Sequence, residues 1–175
     1  RQTVQAIELA GGQAAAVQAD VASDVACRRL VEETLTRFER IDILVNCAGT
    51  IRRGAEHDRA LFAEVLDINL RGTMRLCAAA RPLLARTGGC IVNTASMLAF
   101  FGGGLVPGYS ASKGGVAQLT KSLAIAYAAD KIRVNAIAPG WIATPLTQAL
   151  QDDPARSAAI LARTPLGRWG KPGDI

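Results

Sequence analysis

Short apolar runs alternate along this chain with longer stretches whose apolar residues recur at helical spacing, and that alternation limits what it can fold into. Residues 14–20, 41–46, 90–95 and 132–138 read as strands, and the near-continuous apolar character of 41–46 predicts cover on both faces. Val4, Ile7 and Leu9 make a short helical stripe closed by Gly11-Gly12, where glycine suits a left-handed C-terminal turn. Ser23 suits an N-cap and Asp24 the first turn, and Cys27, Leu30, Val31, Leu35 and Phe38 share one helix face.

Residues 59–86 form a long helical pattern with Asn69 and Gly72 inside it and Pro82 near its end. Glycine inside a helix costs about 1 kcal/mol relative to alanine, so the pair predicts a distortion near Asn69. Residues 109–129 read as the next helix. The pattern over 144–163 is helical but broken at Pro154, which predicts two short helices; 144–165 is expected to form a lid over the substrate pocket. The order of elements predicts an α/β fold, a Rossmann-like doubly wound parallel sheet with helices on both faces and right-handed crossovers. With Arg1 already inside a helical pattern and Asp174-Ile175 following a turn, the sheet is expected to be incomplete at both ends, with 1–175 as one partial domain.

Half of the 175 residues are hydrophobic, enough for one sizeable core. No stretch approaches the roughly eighteen unbroken apolar residues of a membrane span, and no basic-then-apolar leader opens the chain, so a cytoplasmic protein without a membrane partner is expected. The net charge of +5 comes from scattered arginines without interleaved aromatics, which argues against nucleic acid. Cys27, Cys47, Cys77 and Cys90 match neither a zinc pattern nor a disulfide framework and read as small buried thiols; no metal site is expected. His57, the single histidine, reads as a surface residue.

In such a sheet ligands bind beyond the carboxyl ends of the strands. Asp20-Val21, Asn46-Cys47-Ala48-Gly49, Ser96-Met97 and Pro139-Gly140-Trp141-Ile142 should therefore converge on one edge, where small Ala48 and Gly49 admit a flat ring. Tyr109 and Lys113 share a helix face just after a glycine-rich connection from Ser96. A free phenol titrates near 10, too high for a general base at neutrality. An ammonium about 4 Å away, worth roughly 4 kcal/mol at an effective dielectric of 20, would lower that value by up to about three units. Ser96 can then hydrogen-bond the reacting oxygen. Tyr127 and Lys131 repeat the spacing, about 27 Å further along the helix axis and away from the strand tips, and read as structural.

Asn46-Cys47-Ala48-Gly49, Asn69 within Asp67-Ile68-Asn69-Leu70, Ser96, Tyr109-Ser110-Ala111-Ser112-Lys113 and Asn135-Ala136-Ile137-Ala138-Pro139-Gly140 together resemble the short-chain dehydrogenase/reductase family over essentially the whole chain. The resemblance implies an NAD(P)-dependent oxidoreductase that interconverts a secondary alcohol and a ketone. Tyr109 would be the general acid/base, and Lys113 would lower its pKa and hold the nicotinamide ribose. Ser96 would polarise the substrate oxygen, and Asn69 would anchor a proton relay. Asp20 and Val21 would border the adenine of NAD or NADP. Asn46, Ala48 and Gly49 would flank the cofactor, with Pro139, Gly140, Ile142 and Thr144 at its nicotinamide end. The family's glycine-rich dinucleotide turn would lie before Arg1, and Gly102-Gly103-Gly104 does not replace it, so the segment alone is expected to lack activity. A homo-oligomer, tetramer or dimer, is also implied, with Val116, Leu119 and Leu123 forming either an outward or a core stripe.

Ile51-Arg52-Arg53, Ala95-Ser96-Met97 and Pro165-Leu166-Gly167-Arg168-Trp169-Gly170 resemble the family's sugar-acid branch, whose members include dehydrogenases of deoxygluconates. That implies a small-molecule substrate, with Ser96, Met97, Arg52 and Trp141 at the pocket and an arginine on the carboxylate. Arg52 and Arg53 read equally as surface loop residues. A 3-oxoacyl-carrier-protein reductase shares every catalytic residue, and a non-catalytic module that keeps the fold is the reading from another class.

Overall fold

The computed structural model describes residues 2–175; Arg1 lies outside the described residues. Helix α1 (Gln2–Leu9) closes as its glycines predict, with Gly11 at φ +81° and the Gly12 N–H donating to the Ile7 carbonyl. Helix α2 (Asp24–Phe38) is capped by Ser23, which accepts from the Ala26 N–H, and it buries Cys27 and Val31.

Three strands, β1 (Ile43–Asn46), β2 (Cys90–Thr94) and β3 (Arg133–Ile137), pair in parallel in the order β1-β2-β3. Val45, Val92 and Asn135 stand in one row across them. The β1-to-β2 crossover contains α3 (Arg59–Leu66), a π-helical turn (Asp67–Arg71) and α4 (Gly72–Thr87). The β2-to-β3 crossover is α5 (Pro107–Ala126). After β3 come a short 3-10 turn (Pro145–Thr147), α6 (Gln148–Gln151) and α7 (Pro154–Leu161), so the helical break falls at Pro154 as expected. The parallel α/β architecture stands, with two corrections and one open alternative decided.

Residues 14–20 are not a strand. They run as irregular chain with no ladder partner, and an extended segment becomes a strand only when a neighbour takes its N–H and C=O groups. Cover on both faces also fails among the described elements. Cys27 and Val31 of α2, Leu76, Cys77 and Leu84 of α4, and Leu123 of α5 form a core with Ile91 and Val134 of the sheet. On the opposite face Ile43 and Val45 are 61% and 54% exposed. Finally, of the two readings of the stripe on α5 the core one holds: Val116 and Leu123 are buried, and Leu119 packs against the cluster that includes Leu123.

The expected distortion is present. The Gly72 N–H donates to the Asp67 carbonyl, five residues back, which makes the π turn. At Gly72 a Cβ would lie 2.9 Å from Val21 Cγ2 and 3.2 Å from the Val21 carbonyl oxygen, so the turn after residue 20 rests directly on the helix. Arg75 fastens the same junction, its guanidinium donating to the Val21 and Asp67 carbonyls and to Asp67 Oδ1. Gly72→Ala is expected to lower stability by about 1–2 kcal/mol through overpacking, although alanine is the better helix former; a denaturation midpoint at or above that of the native protein would contradict this packing.

Candidate active site

Ser96 stands two residues past the end of β2, extended at φ −167°, and its hydroxyl accepts from the Leu98 N–H to start a short 3-10 turn. Pro107 then opens α5 at a position where its missing N–H is harmless. This places Tyr109 in the first turn of α5 and Lys113 one turn later, with the Lys113 Nζ 5.5 Å from the centre of the Tyr109 ring. The Ser96 hydroxyl stands near enough to the Tyr109 phenol to act on its proton affinity. Lys113 is only 4% exposed and donates to the carbonyl of Thr94, the last residue of β2, at 2.6 Å.

Asn69 sits on the π turn and is buried. Its Oδ1 accepts from the Thr50 N–H at 2.7 Å, and its Nδ2 donates to the Thr50 carbonyl at 2.9 Å and to Ser112 Oγ at 3.0 Å. The side chain therefore ties the segment after β1 to α5. Gly49 lies against this tie: a Cβ there would fall 3.3 Å from Asn69 Oδ1 and 3.8 Å from Lys113 Nζ. At the end of β3 the Pro139 carbonyl accepts from the Met97 N–H, and Met97 lies over Gly140. Thus Gly49, Asn69, Ser96, Met97, Tyr109, Lys113, Pro139 and Gly140 meet along the carboxyl edge of the sheet.

Other predicted residues stand apart from that group. Asp20 makes its own turn, accepting from the Ala22 N–H, and Val21 packs on Gly72. The Asn46 side chain turns into the core, where Nδ2 donates to Asn93 Oδ1 at 2.9 Å and contacts Cys77 Sγ. Ala48 is exposed beside Gly49. Ile142 bridges to Gly170, and Thr144 exchanges hydrogen bonds with Thr147. Trp141 and Trp169 pack in a T-shaped pair, 6.1 Å between ring centres, so part of the Trp141 ring is spent on packing. Arg52 pairs with Glu64 of α3 at 2.6 Å. Its neighbour Arg53 makes no such pair; partial burial, and secondarily the positive charge of Arg156 on α7, lower its proton affinity.

Tyr127 is 4% exposed within the core, with the Arg81 guanidinium over its ring, and Lys131 takes φ +58° beyond the helix end; this pair is structural. Cys47 is exposed, unlike the buried thiols expected of the chain. Glu56 escaped the sequence reading. It is 1% exposed and accepts from the Tyr109 N–H and the Arg52 N–H. The only local sign of it is Val106, a residue without capping ability where α5 begins.

The electrostatics differ from the sequence expectation in direction. Burial pushes the Tyr109 phenol above its usual value; the nearby Ser96 hydroxyl opposes this, and the Glu56 carboxylate adds to it. Burial also brings Lys113 down to about 8. The expected lowering of Tyr109 by Lys113 assumed two half-solvated groups in close contact. Here both are desolvated, and the ammonium is held by the Thr94 carbonyl.

Residues 1–175 match the family described as Enoyl-(Acyl carrier protein) reductase. The chain belongs to the short-chain dehydrogenase/reductase family. It is 47% identical over 161 residues to 2-dehydro-3-deoxy-D-gluconate 5-dehydrogenase of Pseudoalteromonas atlantica, covering 90% of this chain and 63% of that protein. The protein of the same name from Escherichia coli is 41% identical over 178 residues, covering 99% of this chain and 70% of that one. A solved structure of a gluconate 5-dehydrogenase from Burkholderia cenocepacia, in complex with NADP and tartrate, superposes with a TM-score of 0.91 at 32% identity, over 97% of this chain and 68% of its own. The chain thus spans about two thirds of the length of these relatives.

The buried lysine of this short-chain dehydrogenase/reductase gives a measurable signature. Its proton is bound more weakly in the folded state than in the unfolded chain, where a lysine titrates near 10.5, so the unfolded chain holds more protons between about 8 and 10.5 and stability rises with pH there. Lys113→Met removes that term. The variant is expected to be more stable than the native protein near pH 7, by about 3 kcal/mol from a shift of this size. The gap should close as pH approaches 10; a gap independent of pH would show that Lys113 is not desolvated.

Proposed function

We propose that the protein carrying this chain is an NAD(P)-dependent oxidoreductase that interconverts a secondary alcohol and a ketone on a sugar acid, with Tyr109 as general acid/base. One observation carries the reading: Ser96 and Tyr109 come together beyond the end of β2, with Lys113 buried beside the ring. The sugar-acid assignment is supported by the relatives named above and by the bound NADP and tartrate of the Burkholderia structure.

The cradle for a dinucleotide fits at Gly49, where the missing Cβ leaves the backbone open beside Asn69 and Lys113. Gly49 and Ala48 would flank the nicotinamide and its ribose, Lys113 and Tyr109 would hold the ribose hydroxyls, and Pro139, Gly140, Ile142 and Thr144 would line the nicotinamide end. Asp20 and Val21 would border the adenine. The nicotinamide supplies or accepts the hydride. In reduction the Tyr109 hydroxyl gives its proton to the substrate oxygen while Ser96 donates a hydrogen bond to the same atom. In oxidation Tyr109 takes the proton back. Segment 144–165 would close over the substrate, bringing Arg156 of α7 toward Arg53. Two guanidiniums brought together repel each other, and a substrate carboxylate between them would relieve that repulsion.

Tyr109→Phe in the full-length protein should lower kcat by about 100- to 10,000-fold, the usual worth of a general acid/base. Because burial raises the Tyr109 pKa, the phenol is protonated and ready to donate near neutrality. Oxidation needs the phenolate, so its kcat/KM should rise through the alkaline range, while reduction stays level near pH 7 and falls as the phenolate forms. Parallel pH profiles in the two directions would sink this assignment. Arg53→Ala is expected to raise KM for sugar acids about tenfold, the worth of a charge-assisted hydrogen bond, while uncharged sugars are spared and Arg52→Ala changes little. Turnover of a carrier-bound ketone, but not of gluconate derivatives, would select the acyl-carrier reading instead.

A further inference from the structure

Helix α5 begins without a cap of its own, because Val106 offers no side-chain acceptor. The first N–H groups of a helix lack intrahelical partners. Pro107 has no N–H, and the Ser110 N–H donates to the Val106 carbonyl. The Tyr109 N–H is taken by Glu56 Oε2 at 2.8 Å, from a loop 53 residues earlier in the chain. The other carboxylate oxygen, Oε1, accepts from the Arg52 N–H at 2.8 Å. Among the described residues Glu56 makes no ion pair, although it is 1% exposed. Its charge lies at a helix N-terminus, where the peptide dipoles favour an anion.

Building on the role of Tyr109 given above, we propose that Glu56 is a positioning residue for the reaction, clamping the start of α5 to the loop after β1 and so fixing the Tyr109 phenol against Ser96. The chemistry requires a carboxylate. Both partners are N–H donors, and a glutamine has one acceptor oxygen and would turn an NH2 group toward the second donor. An aspartate is one methylene shorter and cannot span both.

The charge matters as well as the shape. Around Glu56 stand Arg52 and Arg53 of its own loop, and His57 and Arg59, which line a cleft of about 390 Å³ with Glu56, Phe62 and Pro107. The Tyr109 phenol is faced by Ser96 from the end of β2, by Lys113 from its own helix and by Glu56 from the loop. Of these, the Glu56 carboxylate acts to keep the phenol protonated.

The test uses full-length protein in four forms: native, Glu56→Gln, Glu56→Asp and Tyr109→Phe, with kcat, KM and the pH profile of oxidation measured for each. Glu56→Gln is expected to lower kcat about 10- to 100-fold, the cost of a reacting group misplaced by about 1 Å. KM should stay nearly constant, and the alkaline-rising limb should move to lower pH. Glu56→Asp keeps the charge, so kcat falls while the limb stays in place. A folded Glu56→Gln with native kcat and an unmoved limb overturns the proposal. Should that variant not fold, Glu56→Asp decides: reduced kcat with an unmoved limb supports the clamp, and native kcat overturns it. Tyr109→Phe separates the two layers. Retained activity there refutes the role of Tyr109 itself, whereas its loss beside native-like Glu56 variants refutes only the clamp.

Discussion

The site depends on how Asn69 spends its amide. By accepting from the Thr50 N–H and donating to the Thr50 carbonyl, its side chain imitates one rung of a β-ladder for a segment that has left the sheet. Its remaining donor hydrogen reaches Ser112 on α5. Three elements distant in sequence are thereby locked by one buried polar group, and a buried group of this kind is costly to leave half satisfied. The π turn makes the arrangement possible: an extra residue in the helical turn changes the direction in which residue 69 projects. The distortion is therefore part of the site and not a defect of a long helix.

A second theme is stability given up for chemistry. Lys113 is buried where a methionine would pack without an electrostatic penalty, and Tyr109 is desolvated beside a carboxylate that disfavours its ionisation. Such groups hold their protons in unusual balance because the fold withholds water from them. The polar groups that could relieve the strain, the Thr94 carbonyl and the Ser96 hydroxyl, are also those that aim the two side chains.

Much of this was legible in the chain because it is local. Gly11, Ser23 and the Asn69–Gly72 pair each mark a backbone event within one helical turn, and β1, β2 and β3 announce themselves as apolar runs. The convergence of Gly49, Ser96, Tyr109 and Lys113 followed from a general rule about strand ends in parallel sheets. What could not be read depends on partners. Residues 14–20 have strand character but no neighbour to pair with, Asn46 ends a strand yet turns its side chain inward, and Arg52 and Arg53 are indistinguishable until Glu64 claims one of them. Glu56 is the sharpest case, since nothing near it in sequence announces that its carboxylate will cap a helix begun fifty residues later. The direction of the Tyr109 shift was missed for a related reason: spacing reports proximity along a helix but not how much solvent remains.

The two tryptophans of the chain stand edge to face at the base of the segment after β3, where the Trp169 indole N–H also donates to Ser157 of α7. Tryptophan emission from this polypeptide thus originates at one junction between the strand end and the terminal helices. Any change in how that junction is packed or hydrated will alter the colour and intensity of the light, while rearrangements elsewhere stay dark. The fold thus carries its own optical gauge at that junction.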